Sequence, residues 1–173
     1  MFRRSIPSLF VSLLVLFWTS PMLAEAPSKA EVEAYLGKMT KSHEELNKHG
    51  QDFGRLLGPA LKGGAEEKLA LYRNYRGMAQ LLFKVQQQCN EWKVPEGAAS
   101  QNMKAANDRF MIYQHEAVLD KVPALLEIVD DDTLDGDAKL EKIRARITLD
   151  NAREIELGKQ VRSAMEALRE AAK

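Results

Sequence analysis

The sequence predicts an all-α protein: an antiparallel up-down-up-down four-helix bundle behind an N-terminal leader. Three observations carry this. Long stretches rich in Ala, Leu, Glu, Lys, Gln and Arg, all good helix formers, alternate with short Pro and Gly clusters. Within those stretches apolar residues recur at three- and four-residue spacing, the period of one helix face. Strand signals, by contrast, are few. The composition agrees: 45% hydrophobic and 29% charged residues with a single Cys exclude collagen, a disulfide scaffold, a polytopic membrane protein and a fully disordered chain. The 25 Lys and Arg balance the 25 Asp and Glu. No basic excess is left for general nucleic-acid binding, so no nucleic-acid partner is expected.

Residues 1–26 read as a secretory signal peptide. Arg3 and Arg4 form a positive start, Leu9 to Trp18 is apolar except for Ser12, and Pro21 precedes small residues. Cleavage is expected after Ala24 or Ala26. An uncleaved anchor is the alternative, but Pro7 and Pro21 make a poor membrane span of it. Removing Arg3 and Arg4 leaves residues 27–173, one domain, slightly acidic and without a polybasic patch for lipid. The expected location is periplasmic or secreted. Cys89 has no second Cys to pair with inside the chain, so the core alone must hold the fold.

The first helix opens with a capping box, Ser28 followed by Glu31, and is expected to stop at Gly58-Pro59, near Leu57. The second is expected from Ala65 to Trp92, before Val94-Pro95-Glu96-Gly97. The third spans Ala98 to Val129 with a kink at Pro123. An Asp-rich loop follows, and the last helix runs from about Ala138 toward the C-terminus. Each has an apolar seam. The first reads Met39, His43, Leu46, Gly50, Phe53, Leu57. The second reads Leu71, Tyr75, Met78, Leu82, Val85, Cys89, Trp92. The third reads Met111, His115, Val118, Val122, Leu125, Val129. The fourth reads Leu140, Ile143, Ile147, Asp150, Glu154, Leu157, Val161, Ala164, Leu168. Short loops between long amphipathic helices make sequential neighbours antiparallel. A faint repeat at a shift of 72 residues lays Met39-x3-His43-Glu44 on Met111-x3-His115-Glu116.

That arrangement predicts one polar core layer. The first and third helices are diagonal and parallel, so His43 and His115 face each other. Met39 and Met111 lie one turn away, about 6 Å. Met78 falls near His43, and Asp150 and Glu154 fall near His115. A buried His beside a carboxylate is first of all a device that fixes helix register. The functional alternative is a metal or haem site, since His and Met ligate haem b and copper, and His also suits zinc. An exported bundle with Met and His in its core resembles the cytochrome b562 type in architecture only. No sequence motif matches. The absence of C-x-x-C-H excludes covalent haem, and the absence of E-x-x-H speaks against a di-iron site.

Other signals are weaker. With Asp131 as its first position, the Asp-rich loop puts Gly136 where a calcium loop needs it. Lys142 then stands where the bidentate Glu belongs, so the acids are expected to cap the last helix. Cys89, on a seam, is expected to be inert. His49 is expected at the surface. Gly50, Gly54 and Gly58 recur every four residues among polar neighbours, as in a helix that bends or admits a close neighbour. Exported helical enzymes such as chorismate mutases hold a dianion with core Arg and Lys, whereas the polar seam residues here are acidic or His. No catalytic residue is assigned. The expected function is a non-enzymatic binding or structural interaction module, monomeric or weakly self-associating, engaging another protein through a helix face or an opened groove.

Overall fold

The Ser28 capping box forms. The Glu31 N–H donates to Ser28 Oγ at 3.3 Å, and the Ser28 N–H donates back to the Glu31 carboxylate at 3.2 Å. The Ser28 hydroxyl also donates to the Glu31 carboxylate at 2.8 Å, and this bond, with the one from the Ser28 N–H, holds the Glu31 carboxyl below its ordinary range. They start α1 (Lys29–Lys62). The computed structural model describes residues 26–148 and 151–172, and every regular element among them is helical. Residues 1–25, which carry the leader pattern, and Asp150 lie outside the described residues. No helix among the described residues is long and apolar enough to cross a membrane.

Contrary to expectation, α1 does not stop at Leu57. It runs through Gly58 and Pro59 to Lys62, where the Gly63 N–H closes it on the Pro59 carbonyl at 2.7 Å. Pro59 removes one hydrogen bond from the ladder near an exposed helix end, where water can serve the freed carbonyl. The extra turn buries Ala60 in the core, and packing outweighs the local stop signal.

Helix α2 (Ala65–Glu91) opens with the Glu67 carboxylate accepting from the Gly64 N–H at 2.9 Å. It ends at Trp92, and the chain turns through Gly97. That residue has φ of 111°, a conformation that favours glycine. Helix α3 (Ala98–Glu116) passes into a π-turn (Ala117–Lys121), and α4 (Val122–Asp130) continues it. In the π-turn the Val122 N–H reaches back five residues to Ala117. The widened turn lies just before Pro123, whose ring would otherwise press on the carbonyl four residues earlier. The expected irregularity at Pro123 therefore takes the form of a π-turn.

The Asp-rich loop behaves as a cap and a junction. Asp135 accepts from the Ala138 N–H at 2.8 Å and starts α5 (Gly136–Thr148). Asp131 accepts from Thr133, Asp130 accepts from the Tyr72 hydroxyl, and Lys68 lies 3.6 Å from Asp130. Lys139 is buried and donates to the Val129 carbonyl at 2.8 Å, which satisfies the C-terminal end of α4 with a cation. Helix α6 (Asn151–Ala171) completes the chain.

α1 packs along α2, α3 along α6, and α4 on α5; α1 also touches α5 and α6, and α2 touches α3 and the π-turn. The buried residues form two groups. One holds Leu46, Phe53, Leu71, Met78, Leu82, Met111, Leu125, Val129 and Ile143. The other holds Val32, Tyr35, Leu36, Met39, Met103, Val161 and Leu168. Phe110 packs against both and marks a waist between them.

Candidate functional site

A polar layer occupies that waist, with different members from those expected. His43, on the core-facing seam of α1, shares a hydrogen bond of 2.9 Å with Asn107 of α3, which is 2% exposed. The Asn107 amide nitrogen donates onward to Cys89 Sγ of α2 at 3.7 Å. With the amide nitrogen on sulfur, the amide oxygen accepts from His43 Nε2, an assignment that follows from the hydrogen-bond network. The acceptor lone pair of the neutral ring is then on Nδ1. Burial pushes the His43 pKa down, and the bond to Asn107 opposes it. Burial likewise pushes the Cys89 thiol up, with the Asn107 bond again the opposing effect. A neutral imidazole and a protonated thiol joined through one amide make a three-helix clasp. They do not make an activated nucleophile.

The expected facing of His43 and His115 is corrected by this geometry. Asn107, the partner of His43, precedes His115 by eight residues, about 12 Å of helical rise. The His115 ring packs edge-on against Phe83 of α2, with centroids 5.6 Å apart, and its Nε2 is buried without a partner. The thioethers also separate. Met39 lies in the second apolar group, while Met111 and Met78 lie in the first. Glu154 is exposed, and its carboxylate accepts from Gln114 at 3.5 Å. Among the described residues no three His, Cys, Asp or Glu side chains are placed to hold a metal ion. His43, His115, Met39 and Met111 are thus spread along the helices rather than gathered in one layer. His49 is also corrected: it is half-buried beside Gly77 of α2, with its Nδ1 unpartnered.

Next to the clasp, α1, α3 and α6 leave a cleft of about 630 Å³. His43 is on its wall. Leu46, Phe110, Ile155, Val161 and Met165 supply apolar surface. Gly50 of α1 and Gly158 of α6 line it with no side chain at all. A Cβ added at Gly50 would meet nothing within 4 Å. The polar lining comprises Thr40, Glu44, Asn47, Gln114, Glu154 and Arg162. The sequence signal for this feature was present as the break in the fourth seam, where Glu154 stands in place of an apolar residue. In the folded chain Glu154 lines the cleft.

Comparison with known proteins gave no matching family model, no matching curated protein and no matching solved structure.

Proposed function

We propose that this protein is an exported, non-enzymatic binding module, an antiparallel up-down-up-down four-helix bundle that receives an apolar ligand in the α1/α3/α6 cleft. Support for the bundle comes from the pairing of α1 with α2 and of α3 with α6, with the π-turn and α4 prolonging α3. Support for export is the residue pattern of positions 1–26. The observation that carries the binding reading is Ile155. It is 57% exposed on the cleft wall, one turn from a bare Gly158, and offers an apolar side chain to whatever enters the cleft. A concave site with apolar walls and a few polar groups is the usual form of a small-ligand pocket. The non-enzymatic reading is supported by the chemistry of the clasp, which ties up His43 Nε2 and keeps Cys89 protonated.

The neutral dye phenylnaphthylamine tests this. Its fluorescence is expected to rise with the whole chain and to fall back with Gly158→Leu, which fills the cleft. Equal fluorescence in both proteins would reject the cleft as the site. The haem b, copper or zinc reading keeps one of its expected ligands, His43, on the cleft wall. Haem absorbance and metal content of the purified protein, with and without His43→Ala, test it separately.

A further inference from the structure

The charges on the α6 wall narrow the ligand class. Glu154, Gly158 and Arg162 follow at four-residue steps and so share one helix face. The Arg162 side chain folds back along that face: its Nη1 lies 3.7 Å from the position a Cβ would take on Gly158. The Glu154 carboxylate thus stands one turn from a guanidinium that lies over the bare backbone of Gly158 on the cleft wall. The other arginines of α6 are used differently, and Lys159 does not line the cleft. Arg153 pairs with Glu116 at 2.7 Å, and Arg169 pairs with Glu33 at 3.1 Å, each tying α6 to another helix. Arg162 has no ion-pair partner among the described residues. Glu44, on the α1 wall, adds a second carboxylate to the cleft. A ligand with only a carboxylate would meet two acids for one base, and a ligand with only an amine would leave Arg162 unused.

We propose that the cleft takes a short apolar peptide with free termini, two or three residues long, its carboxylate on Arg162 and its ammonium at Glu154. The proposal rests on the cleft reading above and names its ligand. Length follows from the wall. Four to eight helical residues separate the two charged levels, about 6 to 12 Å, and an extended peptide covers about 3.3–3.6 Å per residue. Arg162 offers the planar fork that suits a carboxylate. Thr40, Asn47 and Gln114 supply hydrogen-bonding groups for the peptide backbone, and Ile155, Phe110 and Val161 take its side chains.

Calorimetric titration of the whole chain with trileucine, its N-acetyl form and its C-terminal amide tests the proposal, with phenylnaphthylamine run in parallel. Free trileucine is expected to bind one-to-one. Amidation or Arg162→Gln is each expected to weaken binding about tenfold. The two together should weaken it no further, because both remove one contact. N-acetylation and Glu154→Gln are expected to form a second such pair. Gly158→Leu should abolish binding while the protein stays folded, since a Cβ there meets only the tip of Arg162. Dye binding without trileucine binding would overturn the peptide and leave the cleft reading standing. Blocked peptides binding as tightly as free ones, or trileucine binding that survives Gly158→Leu, would overturn the proposal. Failure of both dye and peptide would overturn both.

Discussion

Helix α1 has two long neighbours, and it meets them differently. Against α2 it packs along its length, and α2 contributes Leu71, Met78, Leu82 and Val85 to the buried core. Against α6 its contact is shorter. Val161 and Leu168 are buried, whereas Glu154 and Ile155 are exposed, and Gly158 presents no side chain. Both seams belong to amphipathic helices with the same period. What separates them is the size and polarity of residues at a few positions over two turns. A bundle closes where each helical turn supplies a large apolar residue. It opens where a carboxylate and a glycine take those places.

Core truncation sharpens the comparison most. Leu82→Ala, at a fully buried site on α2, is expected to cost about 2–5 kcal/mol in denaturant unfolding. Ile155→Ala, on the open cleft wall, is expected to stay within about 0.5 kcal/mol. A comparable loss at Ile155 would mean that the α6 side is closed and would break the comparison. Asn107→Ala comes next. It removes the amide that links His43 to Cys89 and leaves a half-buried imidazole without its hydrogen bond, so about 1–3 kcal/mol is expected. Gly158→Ala goes the other way: about 0.5–1 kcal/mol of added stability, since the position is helical and a methyl group fits.

The smallest expected effect is one of pH. Burial lowers the His43 pKa from its ordinary value of 6.5, so over the window below 6.5 the unfolded chain takes up a proton that the folded chain refuses. This group leaves stability untouched above that window and erodes it as pH falls through the window. Denaturant midpoints of the wild type and His43→Gln, measured between neutral and mildly acidic pH, should converge toward the acid side. Parallel curves would show that His43 is not held neutral.

Much of the helical layout was legible because the 3.6-residue period and the Ser28–Glu31 box are local signals. Buried Met39, Leu46, Leu82, Met111, Val129 and Leu168 all lie on the seams read from spacing. Gly58-Pro59 reads as a stop because the breaker is local, whereas the burial of Ala60 that outweighs it exists only in the folded chain. Beside His43 the folded chain places Asn107 and Cys89 rather than His115. Heptad phase tells which face points inward, but not how far one helix slides past its diagonal partner. Extending the third seam four residues back from Met111 reaches Asn107, so that signal was available. The burial of Lys139 had none, since it depends on where α4 ends in space. The opening beside Gly158 was visible only as polar residues on a seam, and polar seam residues can equally be buried and paired.

The most direct test of the account is an NMR titration of the methyl groups with phenylnaphthylamine. Ile155 and Val161 lie on the cleft, and Leu71 and Val85 on the closed α1/α2 side serve as internal controls. Shifts are expected at Ile155 and Val161, with Leu71 and Val85 still. Shifts spread equally over both seams, or confined to the α2 side, would contradict it.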